Sequence, residues 1–225
     1  MIFSMSSCSI AGSWVYERLD NYLADYFKEF ADFSREQDEE IEIISTEFIN
    51  WFSENELSKV KVILENLKSI NLQNPEKEIS SLYRDAEGVF TRSNFYFKSP
   101  IISFTKEINE VQIDEIGSHF RELREKREKE RAENGYSLID NYISGFDRVG
   151  IKLRDDQIDK IKLKLENHIE VREEWSNLQE EWIEEFIQLL KNNQSSDYET
   201  KMSAYLDSLE ELGEEKFREK IDKNE

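Results

Sequence analysis

The sequence predicts an all-α protein, an irregular multi-helix bundle of about eight to ten amphipathic helices with a long charged helix in the middle. Three observations carry that expectation. Only 7 Gly and 2 Pro punctuate 225 residues, so the turn chemistry that β-hairpins require is scarce. Apolar residues recur three or four apart, the period of a helix face rather than the alternation of a strand. Polar residues able to cap a free helix N-terminus stand ahead of most of the apolar runs.

The first helix is expected over Ile10 to Phe30, where Leu19, Leu23 and Phe27 run beside Tyr22, Tyr26 and Phe30 as one broad stripe that packs as core. It stops around Ala31 to Phe33. Ser34, with Gln37 three residues on, forms a capping box for a second helix through Ile41, Ile44, Phe48 and Trp51. Ser53 with Glu56 repeats that pattern ahead of Leu57, Val60, Leu64 and Leu67. After the polar stretch Asn71 to Asn74, Pro75 suits a first helical position, because its missing N–H would have no partner there. The helix through Ile79, Leu82, Tyr83, Val89 and Phe90 is expected to break at Ser99-Pro100.

Asn109 and Gln112 then cap a helix through Ile113, Ile116, Phe120 and Leu123 that runs on into the charged stretch Arg121 to Arg131. Glu122 with Lys126 and Glu125 with Lys129 are four apart there, as on a solvated helix face. Asn134-Gly135 should end it. A shorter helix with Leu138, Ile139, Tyr142 and Phe146 reaches Gly150, and Asp155 or Asp156 opens another with Ile158, Ile161 and Leu165. Trp175, Leu178, Trp182, Phe186 and Leu189 mark a long helix, its two tryptophans read as core. Beyond the linker Asn192 to Ser196, Tyr198, Met202, Tyr205, Leu206 and Leu209 mark a last one, with a frayed tail from Glu214. The domain reading is a short attachment segment over 1–9, a helical domain over 10–192 and a helical C-terminal extension over 193–225.

The formal net charge of -20 and pI near 4.6 oppose binding to nucleic-acid backbones, which needs clustered Lys and Arg, and no basic patch stands out. Aromatic residues at 12% separate the chain from disordered acidic sequences. A single cysteine, Cys8, excludes an internal disulfide. No apolar run approaches the roughly 18 residues of a membrane-crossing helix.

Chemistry-bearing motifs are missing. His119 and His168 lack a Cys or second His at zinc spacing, and Ile116 and Leu165 stand where a helical di-iron site would place Glu, so neither metal nor cofactor is expected. No Gly-rich phosphate loop, nucleophile elbow or calcium loop appears. Carboxylates are too abundant and too polar in setting to mark a catalytic pair. The expectation is therefore no enzyme and no catalytic residue. Three helix starts share a polar-x-x-Gln form, at Ser34 to Gln37, Asn109 to Gln112 and Arg154 to Gln157, which duplication or capping physics alone would produce.

Met5-Ser6-Ser7-Cys8-Ser9 resembles the end of a bacterial lipoprotein signal, with small residues before a cysteine that becomes the lipidated N-terminus. With the Leu19-Asp20 pair about a dozen residues later, Asp32-Phe33-Ser34-x-x-Gln37, the two later Gln-bearing starts and the Trp175/Trp182 spacing, residues 8 to 190 resemble a family of Gram-negative cell-envelope lipoproteins of unknown function. Ser34, Asn109 and Arg154 stand where that family carries Thr. The resemblance implies a helical domain facing the periplasm, tethered to the membrane through lipidated Cys8, with a signal sequence upstream of Met1 because seven residues cannot supply one. Ser9, which is not Asp, fits outer-membrane sorting. Two other readings stand beside it: a helical carrier or chaperone-like binder of a hydrophobic ligand or client, and a soluble cytoplasmic interaction protein.

Overall fold

The computed structural model describes residues 18–69, 75–134, 137–148, 152–166 and 172–208. Cys8, His168, the stretch 71–74 and the tail from 209 lie outside the described residues, as does the part of the first predicted helix before residue 18. Among the described residues the protein is all-α, with nine helices and no strand. In chain order these are α1 (Leu19–Lys28), α2 (Arg35–Asn55), α3 (Leu57–Lys68), α4 (Pro75–Lys106), α5 (Glu110–Asn134), α6 (Leu138–Arg148), α7 (Asp155–Leu165), α8 (Arg172–Leu190) and α9 (198–208). The expected long charged helix is α5.

The chain divides into two compact units. Residues 1–116 and 187–206 make unit 1, and residues 117–186 with 207–225 make unit 2, so the divisions fall inside α5 and α8. Unit 1 contains most of α9, the stretch that sequence reading placed in a C-terminal extension, and Tyr198, Met202 and Tyr205 are buried in its core beside Ile108, Ile113, Ile116 and Leu190.

Within unit 1, α1 and α2 form a hairpin around buried Ala24, Ile41 and Ser45, small and β-branched side chains that allow close helix approach. Ring contacts set α2 against α4: Phe33 meets Phe104 at 5.3 Å, Phe48 meets Phe97 at 4.4 Å and Trp51 meets Tyr96 at 4.9 Å. One number rises as the other falls, so the two helices are antiparallel. Phe27 of α1 closes on Phe97 at 6.0 Å. The first helix's stripe is only partly core, however, because Tyr22 and Tyr26 are exposed.

Two expected boundaries are corrected. Ser53 does not open a helix: α2 runs on to Asn55, and the joint with α3 is Glu56, whose carboxylate turns to α4 instead of to the local backbone. Pro100 does not end α4 either. Its missing N–H costs one helical hydrogen bond, at the Tyr96 carbonyl, but both flanks are pinned. Phe97 sits among the rings of Phe27, Phe48 and Tyr96, and on the other side the Thr105 hydroxyl donates to the Ile101 carbonyl at 2.5 Å. Pro100→Ala is expected to stabilise the protein by about 1–2 kcal/mol, less than the full helix-interior cost because proline also restricts the unfolded chain. Urea unfolding of the two proteins measures it.

In unit 2, α6 packs on α7. Trp182 stacks on Phe186 at 5.7 Å, Phe186 meets Phe120 of α5 edge-on at 6.4 Å, and Arg124 pairs with Glu180. Trp175 departs from the expected core position and is 44% exposed. Phe120 with Phe186 and Arg124 with Glu180 set α5 antiparallel to α8. The exposed end of α5 is laced by Arg124 with Glu128 and Lys129 with Glu133.

Candidate interaction surface

Two polar clusters of unit 1 fix the elements that carry its exposed apolar face. The first joins three turns. Ser34 Oγ accepts from the Gln37 backbone N–H at 3.3 Å while Gln37 Oε1 accepts from Ser34 N–H at 2.8 Å, the predicted capping box. Asn109 and Gln112 do the same at 3.1 Å in each direction. The two glutamines then bond each other: Gln37 Nε2 donates to Gln112 Oε1 at 3.2 Å, and Gln112 Nε2 donates to Gln37 Oε1 at 2.7 Å. Each amide also reaches the other's turn, Gln112 to the Asp32 carbonyl at 3.2 Å and Gln37 to the Glu107 carbonyl at 3.4 Å. Two of the three repeated helix starts thus meet as a pseudo-symmetric pair. The third is half a box, because Gln157 accepts from Arg154 N–H at 3.0 Å whereas an arginine side chain has no acceptor to return and instead pairs with Asp156.

The turn before α9 locks the same place from another side. Asn193 Nδ2, buried, donates to the carbonyls of Thr105 at 2.9 Å and Ile108 at 2.8 Å, and Gln194 donates to the Lys106 carbonyl at 2.8 Å. The Tyr198 hydroxyl donates to Thr105 Oγ1 at 2.6 Å, and burial raises its pKa, keeping it a neutral donor. The bonds to Thr105 and Lys106 satisfy carbonyls left free at the end of α4.

The second cluster sits at the joint of α2 and α3. Glu56 is 1% exposed and receives Arg92 as a fork, Nε to Oε1 and Nη2 to Oε2, both at 2.7 Å, with Lys59 Nζ on Oε1 at 2.8 Å. The Arg92 bond, against the opposing cost of burial, holds the Glu56 pKa down at about 2, with Lys59 adding to it. The result fixes α3 against α4 at a joint with no loop.

With their bases held, α3 and α4 leave large apolar side chains uncovered. Ile79, Tyr83, Ala86 and Phe90 follow each other four, three and four residues apart, one stripe of α4, with Tyr83 68% and Phe90 67% exposed. Phe97 continues the stripe under α1, so the same face is covered at one end and open at the other. Leu64 and Leu67 on α3 are exposed as well, with Lys61 and Lys68 exposed near them. A second open face, in unit 2, is a concavity of about 370 Å³ lined by Leu138, Asn141, Tyr142, Gly145 and Phe146. Among the described residues, all five that line it belong to α6.

No protein-family model, curated protein or solved structure matches the chain. Among the described residues no group of three or more His, Cys, Asp and Glu could hold a metal ion, and no helix is long and apolar enough to cross a membrane. His119 lies on α5, and Cys8 lies outside the described residues. Sequence periodicity missed the open face, because Ile79, Tyr83 and Phe90 have the spacing of core residues.

Proposed function

We propose that the protein is a cell-envelope lipoprotein: a helical interaction domain facing the periplasm, held to the membrane through lipidated Cys8 and working by non-covalent binding. The observation that supports a binding role is the uncovered stripe Ile79, Tyr83 and Phe90 on α4, since aromatic side chains left two-thirds exposed on a rigid helix are typical of contact surfaces. The small residues Ser6 and Ser7 before Cys8 support the anchor. A diacylated cysteine holds stably because two chains exceed the marginal, reversible binding of one. Expressed from its own locus with upstream sequence, the wild type is expected to incorporate radiolabelled palmitate and to partition into the detergent phase, and Cys8→Ala to do neither. An unlabelled, detergent-excluded wild type would refute the anchor.

A further inference from the structure

We propose that the joint of α2 and α3 is a two-position hinge, bent while Arg92 holds Glu56 and straight, as one helix from Arg35 to Lys68, when that hold is lost. The inference stands apart from the lipoprotein reading. Its first support is that the sequence supplies no reason for a bend, since Ser53 to Val60 contain neither Gly nor Pro. The backbone leaves the helix at one angle only. At Glu56 ψ is -30°, ordinary for a helix, while φ is -118° against the usual value of about -63°. Helical bonds persist on both sides: Glu56 N–H donates to the Phe52 carbonyl at 2.9 Å, and the Glu56 carbonyl accepts from Val60 N–H at 3.0 Å. Between them, the N–H groups of Leu57, Ser58 and Lys59, all described residues, make none of the bonds to the Ser53, Glu54 and Asn55 carbonyls that would join the two helices. Nor does a side chain cap this turn. Rotation about one φ would restore all three bonds.

A contact from outside the joint must therefore hold the bend, and the packing singles out Arg92. Before the joint, α2 is anchored to α4 by Phe48 on Phe97 and Trp51 on Tyr96. Beyond it, α3 packs on α4 but has no buried residue of its own, and Leu57, Val60 and Ile63 are only half-buried. Glu56 is the one deeply buried tie at this place, and its fork to Arg92 crosses to α4. Lys59, three residues on in α3 itself, can follow the carboxylate in either position, so Arg92 is the latch. Its seat is built into α4: a Cβ at Gly88 would stand 3.1 Å from Arg92 Nη1, in the space where the guanidinium lies. Charge-assisted bonds are roughly twice as strong as neutral ones, so two to Arg92 are of the scale needed to offset three backbone bonds given up. Two arrangements matched in this way form a bistable element, and the hinge sets how α3 lies on α4.

The test is residue-by-residue amide hydrogen exchange of the full-length protein, followed by NMR. In the wild type the Leu57, Ser58 and Lys59 amides are expected to exchange fast, having no partner in the bent joint. Glu56→Ala removes the held group and leaves a strong helix former in its place, and it is expected to slow those three amides by about tenfold or more. A clamp that merely supports α3 predicts the opposite sign: without it the helix frays, and the same amides and those of Lys61 to Lys68 exchange faster. Glu56→Ala/Arg92→Met leaves neither a cation nor a carboxylate unpaired at the joint and is expected to reproduce the slowing, so it decides the matter if the single variant does not fold. Retained protection at Phe48 and Tyr96 establishes that α2 and α4 are still packed in the variants. Faster or unchanged exchange at Leu57, Ser58 and Lys59 in a folded variant overturns the proposal, as does protection of these amides in the wild type equal to that of their helical neighbours.

Discussion

Tyr198→Ala is expected to cost about 3–5 kcal/mol of unfolding free energy, as removal of a fully packed aromatic ring does. The ring is 1% exposed and shares its surroundings with Leu190 and Met202, both fully buried, so little of the vacated space can be refilled by water or by a surface side chain. Tyr198→Phe separates ring from hydroxyl. Thr105 keeps its own bond to the Ile101 carbonyl, so losing the 2.6 Å bond from the phenol is expected to cost only about 1 kcal/mol. Chemical denaturation of both variants measures the pair of effects. If residues 193–208 were a peripheral extension, Tyr198→Ala would leave the midpoint of unit 1 unchanged, and that outcome would sink the assignment of α9 to its core.

That contrast shows what the sequence carried and what it did not. Periodicity located every helix that the structure describes, because each has an apolar face and local propensity agrees with it. Capping boxes at Ser34 and Asn109 were legible for the same reason, being contacts across three residues. The pairing of Gln37 with Gln112 was not, since their separation of 75 residues is set by how two hairpins meet. Ser53 and Glu56 are the instructive failure. They fit the capping pattern, but a carboxylate prefers a bidentate guanidinium to a single amide, and Arg92 lies 36 residues away where no local rule could find it. Pro100 misled in the opposite sense: a local breaker was overruled by ring packing on one side and the Thr105 bonds on the other. The open face escaped notice because periodicity marks a helix side as apolar without saying whether anything covers it. Trp175 and Tyr83 both have core-like spacing, and both are exposed.

Glu56 should make the stability of unit 1 sensitive to acid in a range where surface ion pairs are not. Its carboxyl ionises at about 2 in the folded protein against an ordinary 4.5, so the stabilisation is fully present above pH 4.5 and is lost as pH falls from there towards 2. Arg92 and Lys59 are each about half exposed, so solvent screens part of the attraction, and about 2 kcal/mol is the expected contribution at neutral pH. Glu56→Gln should cost about that much at pH 7 and flatten the acid limb of the stability profile. Arg92→Ala should be worse than Glu56→Gln at neutral pH. It strands a buried carboxylate with Lys59 as its one remaining cation, whereas the glutamine variant leaves two cations that water can still solvate. Lowering the pH protonates the stranded carboxylate, so the cost of Arg92→Ala should shrink between neutral pH and about pH 4. Urea titrations of the three proteins across that range decide the matter. Equal costs for the two variants at every pH would mean that the cluster behaves as an ordinary exposed ion pair, and that packing rather than the buried carboxylate fixes α3 against α4.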